Sequence, residues 1–314
     1  MEQNIDNRPV MVTIRCCAYN QEPYIRDCLE GFVMQQTNFR FEAIVHDDAS
    51  TDGTAAIINE YAEKYPDIIK PVLETENQYS KGDGSLGRIM DEHTHGKYVA
   101  YCEGDDYWTD PFKLQKQVDF LENHPEVSFS VCRFNLLNQS DKSIKLFENK
   151  YLDQPENKDK PYFLFDLKYA FLESWVCQTM AILVRRSAPT DETKKYKYKR
   201  DVHMFYYALK NNKAVCQNFI GGVYRINPTS TFAGLSEIKQ NTITYRVYEE
   251  FYEYERTPVL RQCLYKALLK LMYHGCFPKP KFQYESWFYP YVFANFVLDK
   301  MRISLGKMRR KIMR

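Results

Sequence analysis

The sequence lacks a long hydrophobic run, a cysteine pair of the metal-binding type and a strong excess of either charge. No stretch approaches the roughly 20 consecutive apolar residues of a membrane-spanning helix. The nine cysteines form no CxxC pair and no Cys/His cluster with zinc spacing. A net charge of only +2 argues against a nucleic-acid-binding surface. These absences favour a globular protein that binds neither structural zinc nor nucleic acid.

Two signals of a secreted protein are missing as well. Residues 1–8 are polar and carry no apolar signal segment. The number of cysteines is odd and their positions are scattered, so the pattern does not suggest a disulfide framework. Reduced thiols in a cytoplasmic protein are the simplest account. We therefore expect a cytoplasmic location.

Glycine is scarce where two nucleotide-binding classes need it. A nicotinamide oxidoreductase requires G-x-G-x-x-G after its first strand, and segment 18–23 contains no glycine. A sugar nucleotidyltransferase typically shows a loop rich in Gly and Arg/Lys early in the chain, and this pattern is also missing. The first class is disfavoured, and the second is kept as an alternative because it also needs carboxylates, a metal and a nucleotide.

What the sequence does contain is an alternation of strand and helix patterns. A run rich in β-branched residues at 10–14 predicts a strand, and apolar residues at helical spacing over 25–33 predict a helix. The succession continues with strand patterns at 41–45, 68–73 and 98–100 and a helix pattern at 57–65. This order predicts a mainly parallel sheet flanked by helices, an α/β fold.

Further along, the pattern becomes less regular. Helices are predicted at 114–121 and from residue 202, a long polar surface loop at 138–160, and strands at 127–131, 179–184, 214–216 and 222–226. From residue 241 onward the chain is predicted to be helical.

Three carboxylates lie within four positions directly after the strand at 98–100: Glu103, Asp105 and Asp106. Carboxylates crowded at a strand end repel one another and lose solvation, and a divalent cation relieves both costs. Hard oxygen ligands suit Mg²⁺ or Mn²⁺, which commonly also bind substrate phosphates. The alternative is an acidic turn whose aspartates cap the helix that begins near Pro111.

Polar residues also follow the other predicted strands. Tyr19 comes after the first strand, and Asp47 and Asp48 come after the second. In parallel sheets, ligands bind beyond the carboxyl ends of the strands. These residues and the acidic cluster are therefore expected to share one site. The alternative is that loop residues are simply polar.

The last segment combines an apolar stripe with many cations. Five apolar residues recur at helical spacing, namely Leu298, Met301, Leu305, Met308 and Ile312. Seven Lys and Arg residues lie among them between positions 300 and 314. A basic amphipathic helix can lie on an anionic membrane. The alternative is that the stripe packs on the rest of the protein. We expect residues 298–314 to make peripheral contact with the inner face of the membrane, and packing of the apolar stripe on the rest of the protein stays open as the alternative.

Several motifs, taken in order, resemble the opening of family-2 glycosyltransferases. They are TIRCCAYNQEPYI at 13–25, QQT at 35–37, FEAIVHDDASTDGT at 41–54, Arg88, Gly96-Lys97-Tyr98, Glu103-Gly104-Asp105-Asp106, and Pro111 with Lys113-Leu114. The resemblance covers about residues 9–230. It implies a GT-A (Rossmann-like) fold, a catalytic domain over 1–235 and a helical C-terminal region over 236–314.

The resemblance also implies roles in binding a nucleotide-sugar donor. Tyr19 would stack on the base and Asp48 would accept a hydrogen bond from the base imide. Arg88 would contact the nucleotide or diphosphate. The other donor-binding residues implied are Asn20, Glu22, Glu103, Asp105 and Arg225. Alternatives from the residues alone are that Asp48 caps a helix, although Asp52 could do so instead, and that Arg88 is a surface cation.

For the metal, the resemblance implies Mn²⁺ or Mg²⁺ held by Asp106 and Asp105. Glu103-Gly104-Asp105 corresponds to the D-x-D motif, with Glu in place of the first Asp. Segment 223–227 resembles a Y-R-x-H motif, with Asn227 in place of the His. The resemblance therefore implies no third protein ligand to the metal at position 227.

The catalytic base implied is Asp201, which opens a predicted helix, although the family more often has Glu or Gly where Arg200 stands. Its alternative role is a carboxylate that caps this helix. Trp175, Gln178 and Thr179 would line the acceptor pocket. Trp175 is equally compatible with a core position.

The function expected on this basis is inverting transfer of a sugar from a UDP-sugar to a hydroxyl of a glycan or lipid-linked acceptor. The setting would be polysaccharide or cell-surface glycan synthesis. Two alternatives stay open: a non-catalytic nucleotide-sugar-binding protein and a sugar nucleotidyltransferase.

Overall fold

A computed structural model of the chain describes residues 8–186, 191–227, 232, 234–281 and 287–312. The chain divides into two compact units. The first consists of residues 1–170, 174–189 and 204–227, and the second of residues 171–173, 190–203 and 228–314. The second unit therefore includes two short segments that lie inside the sequence range of the first.

The first unit is built on a ten-stranded sheet. Its strands are β1 (Val10–Ala18), β2 (Arg40–Asp47), β3 (Ile69–Leu73), β4 (Tyr98–Tyr101), β5 (Tyr107–Trp108), β6 (Val127–Asn138), β7 (Ile144–Leu146), β8 (Tyr162–Phe165), β9 (Ile182–Arg185) and β10 (Lys213–Ile226). Its helices are α1 (Ile25–Val33), α2 (Thr54–Lys64), α3 (Gln78–Lys81), α4 (Ser85–Glu92) and α5 (Lys113–Asn123). Helix α6 (Asp201–Leu209) begins in the second unit and continues in the first.

The strand order is β3-β2-β1-β4-β9-β6-β10-β5, with β7 paired to β6 and β8 paired to β10. The first four strands of this order pair in parallel, as do β6 and β10. Strand β9 runs antiparallel between β4 and β6. The predicted α/β fold, with a mainly parallel sheet flanked by helices, is confirmed.

Packing of the helices on the sheet follows from the apolar pattern. In β1, Val12, Ile14 and Cys16 are fully buried at alternate positions, as a strand requires. In α1, the apolar side chains at helical spacing, including Leu29 and Phe32, are fully buried. These two elements meet in one hydrophobic core that also includes Trp108.

Two predicted strands, at 214–216 and 222–226, are the ends of one strand, β10. The glycines that interrupt the apolar pattern are required by close packing. A Cβ atom at Gly222 would lie 2.4 Å from Cε of Met180 and 2.6 Å from the carbonyl oxygen of Tyr107. The glycine pair thus allows β5 to pair with β10 at Gly222 and Val223.

Two other predictions differ from the structure in detail. The segment predicted as a strand at 179–184 begins with a 3-10 turn, Thr179–Ala181, and only then enters β9. The polar stretch 138–160 contains β7, and Leu152 within it is fully buried. In both cases the contacts that decide the conformation come from distant parts of the chain, so local polarity was a poor guide.

A buried lysine organises the region between α5 and the 3-10 turn. Lys113 is fully buried, with its Nζ 4.0 Å from the ring centre of Trp108 and 2.9 Å from Oε1 of Gln117. Trp108 Nε1–H donates to the carbonyl oxygen of Met180 (2.8 Å), and Gln117 Nε2–H donates to that of Ala181 (2.9 Å). This network fixes the backbone that immediately follows Thr179.

The second unit is helical. Its helices are α7 (Glu237–Tyr254), α8 (Pro258–Tyr273) and α9 (Phe288–Ile312). Helix α8 begins in the expected way, because the Thr257 hydroxyl accepts a hydrogen bond from the Leu260 N–H and Pro258 occupies the first turn. Within the described residues, the helices are all too short or too polar to cross a bilayer.

Candidate active site

The acidic loop, defined as residues 102–106, continues directly from β4 along the end of β1. The Cys102 N–H donates to the Arg15 carbonyl and the Gly104 N–H to the Cys17 carbonyl, each at 3.1 Å. A Cβ atom at Gly104 would lie 2.2 Å from Oε1 of Gln21 and 3.1 Å from Cβ of Ala18, so a larger residue would require these neighbours to shift. The acidic loop is thereby held next to the loop that begins at Tyr19.

Each carboxylate of the acidic loop is bonded to a different element. Oε2 of Glu103 accepts from the Thr179 hydroxyl (3.0 Å), and Oδ2 of Asp105 accepts from Nδ2–H of Asn227 (3.1 Å). Oδ1 of Asp106 accepts from the backbone N–H of Arg225 (2.8 Å). The loop therefore brings together residues predicted for the metal, the diphosphate and the acceptor.

Electrostatics at the acidic loop oppose ionisation. Burial raises the pKa of Asp106 well above its usual value, and the neighbouring carboxylates of Asp105 and Glu103 raise it further. Burial also raises the pKa of Asp105, although the Asn227 amide and Arg225 act in the opposite direction. The ionised forms of these carboxyls thus have too little positive charge nearby to stabilise them, and a bound cation supplies that charge.

We tested whether these residues fit the expected Mg²⁺ or Mn²⁺. The described part of the chain contains no ready group of three or more His, Cys, Asp or Glu side chains arranged for a metal. Mg²⁺ commonly uses only one or two carboxylates, together with waters and substrate phosphates. Asp105 and Asp106 supply two hard oxygen donors whose raised pKa values favour a cation. The donor set fits an ion that is completed by a nucleotide diphosphate.

Arg225 lies at the end of β10, where its backbone holds Asp106. Its guanidinium pairs with Asp27 on α1 and lies 4.6 Å from the ring centre of Tyr107 and 5.2 Å from that of Tyr24. Among the described residues, no protein group accepts a hydrogen bond from its buried Nε–H. Asn227, which stands where a His was expected, is buried and bonds to Asp105.

The loops after β1 and β2 are joined by the predicted donor-binding residues. Oδ1 of Asn20 accepts from the Thr51 N–H (2.8 Å), and Oε2 of Glu22 accepts from the Gly53 N–H (2.8 Å). Asn20 itself has a positive φ of 51°. The structure thus gives Asn20 and Glu22 a role in loop geometry.

Tyr19 and Asp48 differ sharply in exposure. Tyr19 is 50% exposed, which leaves its ring available for stacking. Asp48 is buried, and its two oxygens accept from the backbone N–H groups of Gln78 (2.6 Å) and Tyr79 (3.1 Å) at the start of α3. Asp52 caps α2, where its Oδ1 accepts from the Thr54 N–H (3.0 Å). Asp48 therefore caps a helix, as the alternative interpretation held, but this helix is α3 and not α2.

Arg88 lies in the middle of α4. Its Nη1–H donates to the Asp83 carbonyl (2.8 Å), and its Nη2 lies 3.6 Å from the Asp83 carboxylate. The side chain is solvent-exposed. Arg88 thus contacts the loop that precedes its own helix.

The predicted acceptor residues lie on the segment that leads to the 3-10 turn. Trp175 is half-buried and its ring meets that of Phe205 edge-on at 5.5 Å. Gln178 precedes the turn and is also half-buried. Thr179 reaches Glu103, so this residue joins the segment to the acidic loop.

Asp201 is the first residue of α6 and belongs to the second unit. Its side chain is exposed, yet loss of solvation from the surrounding atoms raises the pKa of its carboxyl, while the Val202 N–H partly offsets this effect. A carboxylate with a raised pKa accepts a proton more readily, which suits a general base.

Sequence reasoning missed two residues that support the site. Asp27 lies within α1 and pairs with Arg225, which is 198 positions away. Glu250 is buried on α7 and accepts from the backbone N–H groups of Lys197 (3.0 Å) and Tyr198 (2.7 Å), just before Asp201. The signal that could have found Glu250 is its place in an otherwise apolar helical stripe.

Parts of this chain are similar in sequence to known proteins. The chain is 48% identical to an uncharacterised protein of Mycobacterium tuberculosis over 121 residues, which are 38% of this chain and 34% of the relative. It is 32% identical over 124 residues to Escherichia coli WfaP, named UDP-Glc:alpha-D-GlcNAc-diphosphoundecaprenol beta-1,3-glucosyltransferase. That match covers 40% of this chain and 46% of WfaP. The chain thus spans less than half the length of either relative.

Among solved structures, S. aureus TarS in complex with UDP-GlcNAc superimposes with a TM-score of 0.56 at 15% identity. The superposition covers 84% of this chain and 81% of that chain, and at this identity it shows a shared fold. The model of the family described as "Glycosyl transferase family 2" matches residues 13–191, more than half of the chain. The chain therefore belongs to glycosyl transferase family 2.

Proposed function

We propose that this protein transfers a sugar from a nucleotide donor, a UDP-sugar, to a hydroxyl of a glycan or lipid-linked acceptor. The observation that carries the proposal is the acidic loop, where burial raises the pKa values of Asp105 and Asp106 and the carboxylates of Asp105 and Glu103 raise that of Asp106 further. A site that must bind a cation together with a diphosphate has this character. The names of WfaP, a UDP-Glc-dependent enzyme, and of the TarS complex with UDP-GlcNAc are consistent with such a donor.

In this proposal Asp105 and Asp106 hold Mn²⁺ or Mg²⁺. When bound, the cation supplies positive charge against the diphosphate that leaves. Arg225 adds a second positive charge, and its buried Nε–H provides a donor for a phosphate oxygen. Glu103 contacts the donor beside Thr179. These groups are fixed by the protein before the reaction, so little reorganisation is needed when charge develops.

The remaining donor contacts come from the loops after β1 and β2. The exposed ring of Tyr19 stacks on the nucleotide base. Asp48 uses a further lone pair for the base imide while it caps α3. Asn20 and Glu22 shape this pocket, and Arg88 turns from Asp83 to the nucleotide when the donor binds.

Catalysis in this proposal uses one base and direct displacement, which inverts the anomeric configuration. Asp201 takes the proton of the acceptor hydroxyl as that oxygen attacks, and the raised pKa of its carboxyl makes it a better base. Trp175, Gln178 and Thr179 hold the acceptor. Orientation of donor and acceptor on one protein provides much of the remaining acceleration.

Calorimetry with UDP and Mn²⁺ tests this division of labour. Asp106→Ala should remove metal-dependent UDP binding, whereas Asp201→Asn should bind UDP and Mn²⁺ like the unaltered protein. Both variants should lose at least about 99% of sugar transfer. Equal loss of UDP binding in the two variants would refute these separate roles of Asp106 and Asp201. Release of sugar from a UDP-sugar by the unaltered protein distinguishes an enzyme from a non-catalytic binding protein.

The acceptor and location belong to the same proposal. Polysaccharide or other cell-surface glycan synthesis at the inner face of the membrane is the setting that we propose. Peripheral contact through residues 298–314 would bring the enzyme to a lipid-linked acceptor. Residues 313 and 314 lie outside the described residues, and the helix α9 backbone extends to Ile312.

A further inference from the structure

The outer face of helix α9 is apolar and exposed well before residue 298. Phe288 and Val292 are buried and attach the helix to the second unit. On the other side, six large apolar residues have exposed fractions between 37% and 58%, namely Trp287, Tyr291, Phe293, Val297, Leu298 and Met301. We call this set the outer face. Phe277, itself 50% exposed, lies beside it with its ring centre 6.2 Å from that of Phe293.

Helical geometry places these residues on one side. At 3.6 residues per turn, positions 287 to 301 of the outer face fall within a sector of about 160°. The segment 287–298 contains no Asp, Glu, Lys or Arg. Asp299 is directed to the inner side, where Oδ2 accepts from the Tyr273 hydroxyl (3.2 Å). Lys300 lies 5.1 Å from the ring centre of Tyr273. The outer face is thus a continuous apolar strip without charge.

Charge decides which partner such a strip fits. After Asp299 the sequence contains no further acid, and Lys300 is followed by Arg302, Lys307, Arg309, Arg310, Lys311 and Arg314. A second copy packed in parallel would bring two sets of these cations close together, and in either orientation the strip 287–298 of a second copy carries no acid to pair with them. An anionic bilayer supplies the opposite charge, and Trp and Tyr side chains favour its interface. A lipid surface is therefore the occupant with complementary chemistry.

We propose that the outer face, Trp287 to Met301, lies in the headgroup region of an anionic bilayer with the helix axis parallel to the membrane. Its apolar side chains enter the interface, and the cationic sequence from Lys300 onward adds electrostatic attraction to anionic headgroups. This inference extends the membrane contact of the proposed function from 298–314 to the part of α9 that begins at Trp287. The purpose of this membrane contact, access to a lipid-linked acceptor, rests on the proposed function, and the contact itself does not.

Vesicle flotation of the whole protein tests the proposal. The probe is a set of vesicles of phosphatidylcholine with about 30% phosphatidylglycerol, compared with phosphatidylcholine alone. The variant Tyr291→Ser/Leu298→Ser should bind the anionic vesicles about tenfold more weakly. A matched control is Ile144→Ser, which replaces an apolar residue of similar exposure (59%, against 53% for Tyr291 and 52% for Leu298) on β7 in the other unit. The control should bind vesicles like the unaltered protein.

A second readout follows Trp287 directly. Trp108 is buried and Trp175 half-buried, so a blue shift of tryptophan emission on adding anionic vesicles reports mainly on Trp287. The variant Trp287→Phe should lose this shift. Unchanged flotation of the Tyr291→Ser/Leu298→Ser variant would overturn the proposal. So would equal binding to neutral vesicles, or conversion of a dimer to a monomer in this variant without any vesicle binding.

The sugar-release assay keeps this proposal separate from the proposed function. The Tyr291→Ser/Leu298→Ser variant should release sugar from a UDP-sugar in vesicle-free solution at the rate of the unaltered protein. If no form of the protein releases sugar but flotation behaves as expected, the proposed function fails and the membrane surface stands. If release is normal and flotation does not change when the outer face is altered, the membrane surface fails and the proposed function stands.

Discussion

Asp106 is an ionisable carboxyl group that is buried beside two other carboxyl groups. The side chain is 1% exposed, and its pKa lies well above the usual value because of burial and then of Asp105 and Glu103. For a carboxyl with a raised pKa in the folded state, the contribution to stability is complete below the unfolded pKa. It is lost as pH rises through the folded pKa. At neutral pH without metal, this group therefore destabilises the fold.

Replacement of this charge should stabilise the metal-free protein. In Asp106→Asn the amide oxygen can still accept from the Arg225 N–H, so the main change is the lost charge. In a chelator at pH 7 we expect an increase of about 1 kcal/mol or more in the free energy of unfolding. The melting temperature should rise by about 2–4 °C. With Mn²⁺ and UDP, the variant should gain none of the ligand stabilisation seen in the unaltered protein.

The control is Asp67→Asn, which removes an exposed carboxylate and should leave the melting temperature within about 1 °C. A lower melting temperature of Asp106→Asn in chelator would contradict the electrostatic account of the acidic loop. A scan from pH 4 to pH 8 checks the sign, since the difference between Asp106→Asn and the unaltered protein should grow as pH rises.

At the residue scale, the sequence predicted the acidic residues better than their partners. Glu103, Asp105 and Asp106 were recognisable because a cluster of acids after a buried strand is unusual. Asp27 was not, because a carboxylate within a helix looks like any exposed acid until its partner Arg225 is known. Asp48 shows a further limit, since its bonds to α3 depend on where the chain returns after β3.

At the element scale, α7 supports the segment that carries Asp201. Both oxygens of the buried Glu250 accept backbone N–H groups, at Lys197 and Tyr198. His203 stacks on Phe251, with ring centres 4.3 Å apart, and burial lowers its pKa to about 4. The turn that begins α6 is therefore held by side chains of α7, and we infer that Glu250 would position Asp201 if Asp201 is the base, as proposed above.

Glu250→Gln should impair turnover without impairing donor binding. Only one oxygen of the amide can accept, so one of the two N–H groups loses its partner and the segment shifts. We expect kcat to fall about tenfold while the Kd for UDP with Mn²⁺ stays unchanged. Steady-state kinetics and calorimetry provide the two quantities.

The matched control is Glu249→Gln. Glu249 is equally buried on the same helix but accepts from the Tyr245 hydroxyl (2.7 Å), Nη1–H of Arg246 (2.6 Å) and the Lys281 N–H (2.9 Å) instead of from the backbone that precedes Asp201. A loss of kcat of the same size in both variants would indicate general destabilisation. The positioning role of Glu250 would then be wrong.

The strands and helices themselves were predictable to different degrees. Strands β1 to β4 and helices α1, α2 and α5 follow from local apolar patterns. The strands are short apolar runs in the sheet, and the helices each have an apolar face that is buried. The continuity of β10 did not follow, since Gly222 breaks the pattern because of its close approach to Met180 and Tyr107, and Gly221 because of Cys132. The antiparallel placement of β9 between β4 and β6 also depends on distant contacts.

At the scale of the whole molecule, the two units interleave in sequence. The second unit includes 171–173 and 190–203, which lie between segments of the first. A sequence analysis that cuts the chain once, as at residue 235, cannot represent such an arrangement. The contacts of Glu250 and Phe251 with 197–203 span about 50 residues, and local patterns carry no trace of them.

A chain that ends at residue 235 should therefore bind donor but not turn over. It retains the acidic loop and loses α7, so residues 196–203 lose the partners that order them. We expect fast hydrogen exchange at 196–203, UDP affinity close to that of the whole chain, and no sugar transfer. Hydrogen exchange followed by mass spectrometry measures the first of these.

A chain that ends at residue 286 is the control, because it keeps α7 and α8 and removes only α9. Its residues 196–203 should remain protected from exchange. If the chain ending at 235 also keeps this protection, the boundary at 235 separates two independent domains, and α7 is not what orders the segment before Asp201.

The cysteines buried around the acidic loop also have a practical consequence for following its motion. Burial raises the pKa values of Cys17 and Cys102 to about 12. At pH 8 a thiol with such a pKa is thiolate in only about one molecule in ten thousand, and thiolate is the form that alkylating reagents attack. Cys102 is fully buried, so its modification must wait for the ends of β1 and β4 to separate, whereas Cys17 is only half-buried. The rate of alkylation at Cys102 therefore measures how often this end of the sheet opens.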